Sequence, residues 1–134
     1  MAMWMILVAA IGSWVFGAIY YGVLGKFWAD ASEFTAGQRA RIEGGPKTNP
    51  LPFVLSFLAE IVMALVLALL IRQTGAAGMG GAAILALTCW LGFVASTILT
   101  NNAYGLRRWS LTVIDSGHWL GVLLVQALIL SALG

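Results

Sequence analysis

Charge is what this sequence has least of. Only 9% of its 134 residues are Asp, Glu, Lys or Arg, where a soluble domain carries about 25%. Hydrophobic residues make up 61%, and a chain this short has too much surface for its volume to hide them from water. A soluble globular fold is thereby excluded, and lipid is the solvent that removes the difficulty. Cysteine is almost missing too. Cys89 stands alone in an apolar run, so no internal disulfide or paired-thiol redox chemistry can form, and a small buried hydrophobe is its expected role. The net charge of +2 is too small to point to nucleic acid. No Lys or Arg precedes Lys26. A secretory signal would want a basic start and a shorter apolar core, so the first apolar run is expected to stay in the protein, Val8-Ala9-Ala10 being the one small-residue stretch suited to cleavage.

Long apolar runs are what is present. A spanning helix needs ~20 residues to cross the ~30 Å hydrocarbon layer. The chain has room for four, at about 3–24, 52–72, 81–100 and 110–133, in one transmembrane domain covering 1–134. The expected fold class is therefore all-α, an integral membrane four-helix bundle, with the lipid bilayer as its first partner. Gly25, Lys26 and Trp28 are expected to end span one as an interface anchor. The Asn49-Pro50-Leu51-Pro52 break opens span two, where proline is tolerated in a first helical turn. A turn from Gly75 to Gly81 precedes span three, and a polar link from Asn101 to Trp109 precedes span four. In the loop between Gly25 and Asn49, Thr35 and Gln38 read as a capping box and Gly44-Gly45-Pro46 as a stop. That predicts a short amphipathic helix over Ala36 to Glu43 on the membrane surface, its Arg39, Arg41 and Glu43 forming a solvated face.

Basic residues set the orientation. Lys26, Arg39, Arg41 and Lys47 lie in loop one and Arg107 and Arg108 in loop three, against Arg72 alone on the other side. By the positive-inside rule both loops are expected in the cytoplasm and both termini outside, in a bacterial inner membrane. The same asymmetry argues against a dual-topology dimer.

Each span carries a stripe, mostly of small or polar residues, at a helical spacing of three or four: Ala9, Ser13, Gly17 and Tyr21; Ser56, Glu60, Ala64 and Ala68; Thr88, Gly92, Ser96 and Thr100; Asp115, Trp119, Val122 and Gln126, with His118 beside the last set. Gly117 and Gly121 form a GxxxG pair. Such stripes let helices approach closely in lipid, either within one bundle or between copies in a homo-oligomer. Glu60 lies ~14 Å along span two from Leu51, near mid-bilayer, where a charge costs at least ~2.5–3.5 kcal/mol on insertion scales. It reads as a proton or cation site, or as a neutral, hydrogen-bonded lock. His118, ~11 Å along span four from Leu111, would sit level with Glu60 and could pair with it, and its titration near neutral pH suits a proton relay. Asp115 could receive Arg107 or Arg108 or interact with its helix N-terminus. With Asn102 these make the candidate intramembrane polar site. One His and two acids make a thin metal site, so neither metal nor cofactor is expected. The aromatic residues, Trp4, Trp14, Tyr20, Tyr21, Phe27, Trp28, Trp109 and Trp119, read as a membrane-interface belt.

Two stretches, Gly17-Ala18-Ile19-Tyr20-Tyr21-Gly22 and Gly25-Lys26-Phe27-Trp28, resemble the opening of a bacterial family known as domain of unknown function 1761. Leu91 to Ala95, Asn101-Asn102-Ala103-Tyr104 and Ile114-Asp115-Ser116-Gly117 resemble its later blocks, in the same order over nearly the whole chain. The resemblance implies a four-span membrane protein and no assigned activity. Tyr21, Lys26, Trp28, Asn102 and Asp115 fall on recurrent family residues. Tyr20 replaces a frequent Trp, and His118 stands where the family has an aromatic, which counts against a His-based mechanism.

Three functions follow as expectations. The first is a small oligomeric transporter or channel-like protein with Glu60 as its titrating site. The second is a structural or accessory subunit docked in a larger membrane complex. The third, a membrane enzyme, lacks a nucleophile–base pair, metal motif or phosphate loop.

Overall fold

The computed structural model describes all of residues 1–134 and is helical throughout, with no strand. Helix α1 is Met3–Ser32, α2 is Ala36–Glu43, α3 is Leu51–Thr74, α4 is Gly78–Cys89, α5 is Ser96–Tyr104 and α6 is Trp109–Leu133. A π-helical segment, Trp90–Ala95, joins α4 to α5, so that Gly78–Tyr104 forms one continuous span. Four helices are long and apolar enough to cross a membrane. Only 24 of the 134 residues are buried within the chain. Ile19, Val23, Ile84, Leu91, Phe93 and Val113 stand on the outer surface, which is tolerable only where that surface meets acyl chains. The protein is an all-α membrane four-helix bundle.

The first three spans run past the ends that sequence punctuation suggests, while α6 keeps its expected bounds to within one residue. Helix α1 continues beyond Leu24 through Gly25, Lys26 and Trp28 to Ser32. The expected turn at Gly75 to Gly81 shrinks to three residues before α4 begins at Gly78, and the helix expected to stop near Thr100 runs to Tyr104, which places Asn102 inside α5. The cause is the solvent. A helix-interior glycine costs about 1 kcal/mol relative to alanine in water, but in a bilayer each unpaired backbone group costs several. Inside the hydrocarbon the helix therefore persists through glycine, and beyond it the last turns of α1 are held by Asp30 with Arg39 and by the Ser32 carbonyl with Arg107. At 30 residues α1 is ~45 Å long, some 15 Å more than the hydrocarbon is thick, so its last turns stand out of the apolar layer. It stops at Glu33, in the left-handed region at φ 58°, whose N–H is taken by the carbonyls of Ala29 and Asp30.

Helix α2 forms over the expected residues. The Thr35 hydroxyl accepts from the Gln38 N–H at 3.2 Å while the Gln38 side chain accepts from the Thr35 N–H at 2.9 Å, both halves of a capping box. None of its residues is buried. Arg39 ties it to the overhanging end of α1 through Asp30, at 2.7 Å.

In the bundle α1 packs chiefly on α6 and then on α3, and the third span leans on α6. The half nearest the chain termini has a small-residue apolar core: Ile6, Ala9, Ala64, Leu67, Ala68, Ile71, Ala82, Ala86, Leu123, Ala127 and Leu130. Toward the other end, glycines receive rings across the α1–α6 seam. A Cβ on Gly17 would lie 2.8 Å from His118 Nε2, one on Gly117 2.9 Å from the Tyr20 hydroxyl, and one on Gly121 would overlap the Phe16 ring. The Gly117/Gly121 pair thus faces α1 of its own chain. Gly121→Ala is expected to lower stability by about 1–3 kcal/mol, as overpacking does. Gly22→Ala, whose Cβ meets nothing within 4 Å, should change it by less than about 0.5 kcal/mol. Reversible unfolding in mixed detergent micelles compares the two.

Candidate functional site

Polar residues inside the bundle fall into two groups stacked along the α1–α6 seam. The deeper group joins three helices at one level. Gln126 of α6 donates through Nε2 to the Ser13 hydroxyl of α1 at 3.0 Å and to the backbone carbonyl of Glu60 in α3 at 2.9 Å. Ser13 in turn donates to the Ala10 carbonyl at 3.0 Å, and its hydroxyl lies beside the Glu60 carboxyl. Ser13, Gln126 and Glu60 are essentially inaccessible, Glu60 at 1% exposure. Glu60 Oε1 and Gln126 Oε1 have no hydrogen-bond partner. Two buried acceptors without donors in one cluster are costly, and a carboxyl that took up a proton would gain an O–H to offer there.

The second group lies toward the α2 end. The Tyr21 hydroxyl donates to Asp115 Oδ1 at 2.6 Å, and the Tyr20 hydroxyl donates to the Ile114 carbonyl at 2.7 Å. The His118 ring is packed among Tyr21, Tyr20, Trp119 and Phe16, with centroids 4.7, 5.6, 4.6 and 6.4 Å away. It is 6% exposed, its Nδ1 is unpartnered, and so is the hydroxyl of Ser116 two residues before it. Trp90, at the start of the π segment, reaches across to donate its indole N–H to the Ser116 carbonyl at 2.7 Å. A π turn re-aims the side chains that follow it and recurs at functional positions. From the start of α5 the Ser96 and Thr97 hydroxyls donate back to the Gly92 and Phe93 carbonyls of this turn, each at 2.7 Å.

The two groups are separate. Glu60 meets α6 at Gln126, eight residues or ~12 Å beyond His118, and no Glu60–His118 hydrogen bond forms. The level expected from counting residues along each span assumed that both spans start in one plane. Helix α6 starts instead beside the overhang of α1, where Arg107 donates to the Ser32 carbonyl at 3.0 Å and Arg108 pairs with Glu33 at 3.3 Å. That moves His118 toward the α2 end relative to Glu60. Neither arginine bonds Asp115, whose hydrogen bond is to Tyr21. Asn102 stays apart from both groups and donates to the Thr112 hydroxyl at 3.0 Å. Trp28 is only half-exposed, its ring edge-on to Tyr21 and Phe34, while Lys26 stands in the open. Gly92 and Ser96 lie on the outer face of the third span.

Between the groups sits one apolar layer, Phe16 and the buried Val122. From Glu60 to the chain termini the interior is the alanine-rich core alone. The column thus reaches about halfway along the bundle from the α2 end and stops there. No three His, Cys, Asp or Glu side chains converge, so what the column offers is hydroxyl, amide and carboxyl oxygens suited to passing or holding a proton. Its central member, Gln126, is a lone amide in the apolar run Leu123 to Leu130. That contrast and its place in the stripe with Asp115, Trp119 and Val122 were its sequence signals, and nothing in sequence marked the π turn at Trp90.

A family model described as "Protein of unknown function (DUF1761)" matches residues 4–131. No curated protein and no solved structure matches the chain. In a double-mutant cycle, Ser13→Ala and Gln126→Leu are expected to couple by about 0.6–2 kcal/mol, the range for interhelical hydrogen bonds in lipid. Unfolding in mixed micelles measures it, and strict additivity would show that Ser13 and Gln126 do not act together.

Proposed function

The chain belongs to the family of proteins of unknown function DUF1761, and from that premise we propose that it is a small proton-conducting transporter with Glu60 as the site that takes up and releases the proton. The observation that carries this is the buried Glu60 carboxyl with its unpartnered Oε1, at mid-bilayer and at the inner end of a polar column. An ionisable residue at that depth is costly to keep, and packing alone would be served as well by glutamine. Asp115, Tyr21 and His118 form the approach from the α2 end, and loss or gain of the proton at Glu60 changes how many donors the Ser13–Gln126 cluster must supply.

A single bundle closed by Ile6, Ala64, Leu67 and Leu130 carries the proton only halfway. Passage to the far side then involves either movement of α3 against α1 or association of copies. The outward stripe Thr88, Gly92, Ser96 and Thr100, with open space over Gly92, is the face on which copies would meet. The same stripe favours a second reading, an accessory subunit docked on a larger membrane partner, in which the Gln126 hydrogen bonds make Glu60 a structural lock. The bias of six basic residues to one supports an orientation with α2 and the Arg107–Arg108 link in the cytoplasm of a bacterium and both termini outside the inner membrane.

Purified protein in liposomes holding a pH-sensitive dye, driven by a potassium diffusion potential, is expected to acidify the lumen. Glu60→Gln should reconstitute equally well and return the rate to that of empty vesicles. Undiminished flux in Glu60→Gln would sink the transport reading. A silent wild type that leaves the membrane bound to a different protein would establish the accessory one. For sidedness, Glu43→Cys in a Cys89→Ser background should resist a membrane-impermeant maleimide in intact cells and react once the membrane is opened. Labelling in intact cells would reverse the orientation.

A further inference from the structure

We propose that the groove between α1 and α6 at the α2 end binds a membrane phospholipid with a primary-amine headgroup of the phosphoethanolamine type. The groove is shallow and open to its surroundings, offers about 520 Å³ and is lined by Leu24, Phe27, Asp30 and Ala31 of α1 and by Arg108, Ser110 and Ile114 at the start of α6. That volume falls within the ~300–1,000 Å³ of small-ligand sites.

Its polarity is graded along the membrane normal. Helix α1 runs outward from Leu24 through Phe27 to Asp30, a rise of ~9 Å, while α6 runs inward from Arg108 and Ser110 to Ile114. The deep half is therefore aliphatic and aromatic and the shallow half charged, which is the profile of an amphiphile standing upright in one leaflet. Lys26 and the exposed Trp109 mark the same level as headgroup depth.

Charge at the mouth selects the headgroup. Asp30 and Glu33 face Arg39 and Arg108, with Asp30–Arg39 at 2.7 Å and Arg108–Glu33 at 3.3 Å, so these four charges cancel in pairs while staying separated. A purely anionic headgroup could take the donors of Arg108 but would bring no cation for the carboxylates beside them. A zwitterion adds one charge of each sign and fits without displacing either pair. The groups left over match it. Arg108 uses Nε on Glu33 and Nη1 on the Asp30 carbonyl, leaving Nη2 and the Ser110 hydroxyl to donate to a phosphate. Asp30 uses Oδ1 on Arg39, leaving Oδ2 to accept from an ammonium. A primary ammonium can donate that hydrogen bond and a trimethylammonium cannot.

The test is native mass spectrometry of the full-length protein released from bilayers of equal phosphatidylethanolamine, phosphatidylcholine and phosphatidylglycerol. Wild type is expected to retain the ethanolamine lipid about three- to five-fold over the choline lipid, the scale of one exposed ion pair. Asp30→Asn should level that preference. Ser110→Trp fills the groove from an exposed position, keeps both ion pairs and should strip bound phospholipid of every kind. Equal retention of ethanolamine and choline lipids by wild type, strongest retention of phosphatidylglycerol, or a Ser110→Trp protein that holds lipid as wild type does would each overturn the assignment.

Discussion

How closely α1 and α6 approach one another governs most of what this bundle can do. Their seam has glycine where a ring arrives from the other helix: Gly17 beneath His118, Gly117 beneath Tyr20, Gly121 beneath Phe16. Between lipid-solvated helices there is little hydrophobic drive to associate, so dispersion contacts and interhelical hydrogen bonds must hold them. Removing the β-carbon brings a ring into contact with backbone, and the same closeness puts hydroxyl and amide groups within reach across the seam. The bonds from Tyr20 to the Ile114 carbonyl and from Gln126 to Ser13 both depend on it.

Helix α3 joins that seam at one level. Gln126 accomplishes this by donating to a side chain on α1 and a main-chain carbonyl on α3, so the Glu60 carboxyl is held where it has company but not enough donors. Polarity is concentrated there and toward the α2 end, and the half nearer the termini is sealed with alanine and aliphatic residues. An interior that is polar on one side and closed on the other is asymmetric in the same sense as the basic residues outside it. The overhanging end of α1, the ion pairs to α2 and the start of α6 complete that polar end and shape the groove at headgroup depth.

The third span stands somewhat apart. It leans on α6, holds that contact through Trp90 at the π turn, and turns its Thr88–Gly92–Ser96–Thr100 stripe outward. Its hydroxyls are satisfied by its own carbonyls, so the stripe is compatible with lipid while leaving a smooth surface. The stripes of spans one, two and four look the same in sequence, yet Ala9, Ser13 and Gly17, Glu60 and Ala64, and Val122 and Gln126 all face inward. Spacing identifies a face that can pack. It cannot say whether a neighbour is there.

Composition and hydropathy by themselves determined the solvent, the number of spans, the surface helix with its capping box and the unusual status of Glu60, because each depends on local chemistry or on transfer from water to lipid. Helix ends were legible only to within a few residues. Glycine and proline rules describe competition with water, and in lipid the backbone has no such competitor. The partners of Glu60 were decided by tertiary structure. Counting along spans two and four set His118 level with it, but relative height depends on where each helix enters the membrane, and the docking of α6 beside the overhang of α1 put Gln126 there instead. The Tyr21–Asp115 bond, the inward turn of Trp28 and the groove beside Asp30 likewise arise from residues distant in the chain that meet only once the helices have settled against each other.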